Sequence, residues 1–450
     1  MGWQYTIAEL ASIIGANTPE SDPTFSAVSK DTRSLVEGDV YFALKGDQFD
    51  GEQFVSDAFA AGAGAAVCTT SHDGGPCLVV PDALAALQEL ATHHRNQFSI
   101  PIIAITGSCG KTTAKDFTAA VLATRHTVTK TEGNLNNEIG CPLSILGIDN
   151  DTDITVIEMG ANHTGEIQSL CAWARPTESA ITMIGPAHLE GFGSIQDVAK
   201  AKSEIAHSLG EAGLFYVNND DARCVAIGEQ LSCDKVTFGT AGDVALRDYQ
   251  RRDNGEVDLV IDPIGAIRLP LACRAHVTNV LLAIAIGLRH GVEQFEVPLR
   301  DALQHASRFT VRELGPLRII DDTYNANPAS MKAALEALQE QPGNGSRWAA
   351  LGDMLELGDD AATYHAEIGS HAAAQGIDAL FARGDHAKDV VNGAHDAGIS
   401  QANAYASTEE IARAIADSAP PGTILLVKGS RGLHMENVIT ELERIYNETE

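Results

Sequence analysis

The segment Ile102-Ile-Ala-Ile-Thr-Gly-Ser-Cys-Gly-Lys-Thr-Thr113 carries the most specific chemistry in the chain. An apolar run passes into Gly107, then Ser108 and Cys109, then Gly110, Lys111 and a helix-forming stretch. Glycines let the backbone turn so that several N–H groups point inward, and a helix N-terminus adds partial positive charge. Such a turn cradles phosphates. Lys111 is placed to reach the β- and γ-phosphates of a nucleotide, and Thr112, followed by Thr113, to hold Mg²⁺. The longer eight-residue form of this loop needs a glycine where the chain has Ile105, so the shorter Gly-x-x-Gly-Lys-Thr form is present.

Other residues offer companion chemistry. The run Ile154-Thr-Val-Ile-Glu-Met-Gly160 reads as a strand ending in Glu158. A carboxylate at a strand's C-terminal edge beside a phosphate loop suits Mg²⁺. His188, after Gly185-Pro-Ala, could be a second metal ligand, although a lone histidine is more often a structural residue. Lys200 and Lys202, in Val198-Ala-Lys-Ala-Lys-Ser-Glu-Ile205, read by themselves as solvated helix lysines. A lysine kept partly neutral can instead react with CO₂, and the carbamate so formed is an anion able to bind metal.

Three units must position these groups. Residues 1–99 alternate short strands with helices and form a small α/β domain. Residues 100–312 start at strand Ile102 to Thr106 and continue as strand–helix alternation, which predicts a mainly parallel sheet covered on both faces. Residues 244–271 read as short strands joined by turns. Residues 313–450 alternate again in a Rossmann-like pattern. They carry no Gly-x-Gly-x-x-Gly, so a dinucleotide cofactor is not supported. The fold class is therefore α/β in three domains, a small α/β N-terminal domain, a central mainly parallel sheet carrying the phosphate loop, and a Rossmann-like C-terminal domain.

Composition narrows the class further. The 450 residues include 61 acidic and 31 basic ones, a net charge of −30. That balance argues against nucleic acid or anionic lipid as a partner, because both demand basic patches. The longest apolar run, Val280 to Ile286, is far short of a membrane span. The first residues show no basic region followed by an apolar stretch, so no secretory signal is expected. Eight cysteines without a Cys-x-x-Cys pair read as scattered reduced thiols, and a cytoplasmic location is expected.

Taken together, these segments resemble the Mur ligases, ATP-dependent ligases of peptidoglycan synthesis. The resemblance spans the chain. It rests on Asp31-Thr-Arg33, Gly38-Asp-Val-Tyr-Phe-Ala-Leu-Lys-Gly46, Phe49-Asp-Gly51, the phosphate loop, Gly133-Asn-Leu-Asn-Asn137, Glu158-Met-Gly-Ala-Asn162, His188-Leu-Glu-Gly-Phe-Gly193 and Ala201-Lys-Ser-Glu-Ile205. In the last third it rests on Asp322-Thr-Tyr-Asn-Ala-Asn-Pro328, Gly352-Asp-Met-Leu-Glu-Leu-Gly358 and Lys428-Gly-Ser-Arg431. The segments at 322 and 352 resemble most closely the member that joins D-alanyl-D-alanine to UDP-N-acetylmuramoyl-tripeptide. A sibling Mur ligase or a folylpolyglutamate synthase-like enzyme is the alternative, and a regulatory phosphate-loop switch is a more distant one.

The resemblance implies roles. Asp31, Thr32, Arg33, Lys45 and Gly46 would lie near the UDP-sugar, and Asn134, Asn136 and Asn137 would approach the substrate. Gly107, Ser108, Cys109, Gly110, Lys111, Thr112 and Thr113 would hold the ATP phosphates, and Asn279 would read the adenine. Arg308 and Asp322 would reach ATP across the domain junction, with Tyr324, Asn325 and Asn327 beside them. Lys428 and Arg431 would face the incoming dipeptide or an acyl phosphate. Two Mg²⁺ sites are implied, one at Thr112 and Glu158, the other at His188 and a carbamylated Lys202. A monomer with a mobile C-terminal domain is expected.

Overall fold

The computed structural model describes residues 3–17, 22–46, 49–305 and 309–447. In the N-terminal unit four strands form a parallel sheet: β1 (Val28–Ser29), β2 (Val40–Phe42), β3 (Ala65–Cys68) and β4 (Cys77–Val79). Helix α1 (Ala83–Arg95) follows, its N-terminus capped by Asp82, whose carboxylate accepts from the amides of Leu84 and Ala85. The helix also fastens this unit to the next. The buried Arg95 donates to the carbonyls of Ala174 (2.8 Å), Phe98 (2.6 Å) and Arg175 (3.3 Å). The neighbouring His94 meets the Ile148 carbonyl at 2.7 Å.

The central sheet has nine strands in the order β6-β7-β5-β8-β9-β10-β11-β12-β13. They are β5 (Ile102–Thr106), β6 (Val128–Lys130), β7 (Ile154–Glu158), β8 (Glu178–Ile181), β9 (Leu214–Asn218), β10 (Asp234–Gly239), β11 (Val244–Arg251), β12 (Val257–Asp262) and β13 (Gly265–Leu269). Pairing is parallel as far as β11, and the last two junctions are antiparallel. Parallel strands need crossovers, and the intervening helices cover both faces. Strand β5 shows the result in its side chains. Ile102 and Ala104 join the core shared with the N-terminal unit, while Ile103 and Ile105 join the core on the opposite face. That second core contains Phe117 and Val121 of helix α2 (Lys111–Leu122) and the apolar run of helix α4 (His276–Arg289). Helix α3 (Ile195–His207) lies on the first face, where Val198, Ala201 and Ile205 are buried.

The C-terminal sheet has six strands in the order β14-β15-β19-β16-β17-β18. These are β14 (Thr310–Leu314), β15 (Leu317–Asp322), β16 (Arg347–Gly352), β17 (Ala379–Arg383), β18 (Gln401–Tyr405) and β19 (Ile424–Lys428). All junctions are parallel except β14–β15, and cores lie on both faces. Strand β14 pairs with β15 through Thr310↔Asp321 to Leu314↔Leu317, so this sheet begins before residue 313, the position expected from sequence. A strand and its hairpin partner joined by the short Gly315-Pro316 turn cannot belong to separate domains.

Candidate active site

A cleft of about 940 Å³ opens where the C-terminal ends of β5 and β7 face the C-terminal domain. Open parallel sheets bind ligands at this end of their strands. Strand β5 ends at Thr106, and Gly107 (φ +150°) and Gly110 (φ +85°) shape the turn into helix α2. A Cβ on Gly107 would lie 2.0 Å from Thr182 Oγ1, and one on Gly110 would lie 2.7 Å from Asn279 Oδ1. Both positions therefore exclude a side chain. The loop rests on the segment after β8. The Ser108 amide donates to the Met183 carbonyl (2.9 Å), and the Ser108 hydroxyl donates to the Gly185 carbonyl (2.8 Å).

Glu158, at the end of β7, is 1% exposed. Its Oε1 accepts from the Thr112 hydroxyl (3.2 Å) and from Asn136 Nδ2 (2.7 Å). Its Oε2 is buried with no hydrogen-bond partner. A buried carboxylate oxygen without a donor is a costly arrangement that a cation relieves. One carboxylate, a hydroxyl and bound phosphates form a donor set suited to Mg²⁺. Lys111 folds back over the loop and donates to the Gly107 carbonyl (2.8 Å).

Ser108, Cys109, Gly110, Lys111, Thr112 and Thr113 line the cleft, as do Asn134, Asn136, Asn137, Glu158, His188 and Asn279. From the C-terminal domain come Asp322, Tyr324, Asn325, Asn327 and Lys428. Asn327 performs two tasks. It caps helix α5 (Pro328–Gln339) by accepting from the Ser330 amide, and its Nδ2 donates to the Ser108 carbonyl of the phosphate loop (3.1 Å). A helix cap of one domain thus touches the phosphate loop of another.

Several expected residues sit differently from their expected places. Lys428 does not present a free ammonium to a dipeptide. It is 1% exposed, and its Nζ donates to Asp322 (2.6 Å) and to the Asn325 carbonyl (2.8 Å). Asp322 and Lys428 are register partners at the ends of β15 and β19, and a buried cation needs such a partner. That pairing engages Asp322 Oδ2, and Asp322 still lines the cleft. Arg431 is largely exposed, pairs with Glu436 at 3.2 Å and lies outside the cleft lining. Asp31, Thr32, Arg33, Lys45 and Gly46 lie on the N-terminal domain, as expected, and do not line this cleft. Arg33 donates to Asp31 and holds its carboxyl well below the usual range. Arg308 lies outside the described residues.

Lys202 is not a solvated helix lysine. It is buried beneath the cleft wall, with Nζ 3.3 Å from the Ala161 carbonyl and above the Phe192 ring. Burial, reinforced by the charge of Lys111, pulls its ammonium down to about 7, against the opposing effect of Glu166 and Glu204. His188 meets Glu356 of the C-terminal domain through Nδ1. Burial lowers its pKa although Glu356 favours the charged ring. Among the described residues, no group of three His, Cys, Asp or Glu side chains is arranged to hold a metal. Reading from sequence missed Thr182 and Asn218, whose Nδ2 donates to the Thr182 carbonyl at 2.7 Å, and the half-buried His276. The first two are ordinary polar residues with no motif around them.

Comparison with known proteins agrees with this architecture. Residues 105–287 match the Mur ligase middle domain, and residues 307–431 match the Mur ligase glutamate ligase domain. A UDP-N-acetylmuramoyl-tripeptide–D-alanyl-D-alanine ligase of Bacillus subtilis is 34% identical, covering 97% of each chain. One from Escherichia coli is also 34% identical, covering 97% of this chain and 98% of its own. A crystal structure of MurF from Acinetobacter baumannii superposes with a TM-score of 0.88 at 31% identity, covering 98% of this chain and 99% of its own. MurF ligase from Thermotoga maritima in complex with ADP gives 0.82 at 27% identity, with 95% and 99% coverage. With two of its domains matched and a third of its residues identical to full-length relatives, the chain belongs to the Mur ligase family.

Proposed function

We propose that this protein is an ATP-dependent ligase that joins D-alanyl-D-alanine to UDP-N-acetylmuramoyl-tripeptide in cytoplasmic peptidoglycan synthesis. One observation carries the reading. The phosphate loop, Glu158 and the segment Asp322 to Asn327 converge on a single cleft between two domains. Full-length relatives bearing that name share the architecture. No described helix is long and apolar enough to cross a membrane. The cytoplasm is the compartment where ATP, a nucleotide sugar and cysteines without disulfides coexist.

The chemistry follows from the residues. The tripeptide carboxylate attacks the γ-phosphorus of ATP, ADP leaves, and an acyl phosphate forms. The dipeptide amine then attacks the acyl carbon, phosphate leaves, and the amine gives up a proton. The loop amides and Lys111 neutralise the phosphates and fix their direction. Thr112 and Glu158 would hold Mg²⁺, which supplies further charge neutralisation. His188 and a carbamylated Lys202 would hold a second ion; the low pKa of Lys202 favours the neutral amine that CO₂ requires. Asn327 couples the C-terminal domain to the loop, so that closure excludes water from the acyl phosphate. Asn279 packs against Gly110 at the loop, where it would meet the nucleotide. Asp31, Thr32, Arg33, Lys45 and Gly46 would receive the UDP-sugar.

The test is ATP hydrolysis with both proposed substrates present and with each left out. Hydrolysis should require the UDP-tripeptide and D-alanyl-D-alanine together. Stimulation by single amino acids in place of the dipeptide would sink the assignment.

A further inference from the structure

Glu356 lies on the loop after β16, and its carboxylate meets Nδ1 of His188, 168 residues away in the central domain. A carboxylate only accepts, so the proton on this contact belongs to Nδ1. The backbone repeats the contact, since the Glu190 amide donates to the Glu356 carbonyl at 3.1 Å. His188 (φ +52°) and Glu356 (φ +62°) both adopt left-handed backbone conformations. Residues other than glycine hold that conformation only where their surroundings impose it.

The loop is braced before it reaches across. The Met354 amide donates to His365 Nε2 (2.9 Å), and His365 Nδ1 meets the Ala361 carbonyl (2.7 Å). The Leu355 amide donates to the Ser430 hydroxyl (2.9 Å), and the Ser430 amide donates to the Asp353 carbonyl (3.0 Å). The Glu356 side chain is 49% exposed, and so solvated a pair contributes little to stability. Two constrained backbones and a braced loop for a weak ion pair indicate that the contact orients rather than stabilises.

We propose that Glu356 is a positioning residue: docking of the C-terminal domain delivers its carboxylate to His188, fixes the Nδ1–H tautomer and leaves Nε2 for the cleft. Domain docking and orientation of the imidazole are then one event. This inference rests on the reading of His188 as part of the ligase centre. Outer partners of this kind characteristically alter function about 10–100-fold when removed.

The experiment uses the full-length enzyme with ¹⁵N-labelled histidine, with H188N to assign the ring signals. Wild type should show His188 as the Nδ1–H tautomer. E356Q should keep it, because an amide oxygen still accepts, and E356A should lose it. In the same proteins kcat should fall about 10–100-fold in E356A with the KM for ATP little changed, and E356Q should recover most of the rate. A His188 tautomer unchanged in E356A would overturn the proposal, as would E356Q and E356A being equally impaired. A wild-type enzyme that does not ligate would instead defeat the functional reading, while the tautomer would still report on Glu356.

Discussion

Lys202 shows best how a side chain's surroundings set its chemistry. In helix sequence it resembles Lys200, but the helix turns it inward among Ala161, Phe192 and the charge of Lys111. With a folded pKa of about 7 against an ordinary 10.5, the amine is neutral above about pH 7 and protonated below. Carbamate loading should therefore rise through that value and collapse about one unit beneath it. A ¹³C-bicarbonate label observed by NMR reads this directly, and loading that ignores pH would remove the carbamate role. K202A should lose ligation, with no recovery on adding bicarbonate and partial recovery with short carboxylic acids. The sign for stability follows from the same shift. Between about pH 7 and 10.5 the unfolded chain binds more protons here than the folded one, so this group makes stability rise with pH across that window.

At the scale of elements, the phosphate loop works because glycine and cap positions coincide with contacts between strands and domains. G110A combines a left-handed φ with a Cβ 2.7 Å from Asn279, so ADP affinity measured by calorimetry should fall more than about tenfold. N327A removes the cap of α5 and the donor to Ser108. It should cost about 1 kcal/mol of stability, seen as a lower Tm, and should also raise the KM for ATP. A lower Tm with unchanged KM would confine Asn327 to capping. The loop, Glu158 and the strand–helix alternation were legible in the sequence because each is encoded within about a dozen consecutive residues. The fate of Lys428 was not, because its partner Asp322 is set by the register of two strands 106 residues apart. The His188–Glu356 contact crosses 168 residues and two domains, and no local pattern announces it.

For the whole molecule, a net charge of −30 repels both polyanionic substrates. Screening confines that field to about 8 Å at physiological salt, so binding depends on local groups at the cleft, Lys111 and the loop amides among them. The KM for ATP should rise less than about threefold between about 0.05 and 0.5 M KCl. A steep power-law loss would show that the mean field governs binding after all. The charge also ceases to be a clue to partners, since the ion pairs of Arg247, Arg252, Arg268 and Arg444 spend basic residues on the outer surface. Glu158 links the cleft to the fate of the molecule as a whole. A buried carboxylate oxygen without a donor costs the protein on the order of 1–3 kcal/mol. Nucleotide with its cation should remove that cost as well as adding its own binding energy. The enzyme's lifetime would then follow its working state: busy molecules would resist proteases, and starved ones would be cleared first.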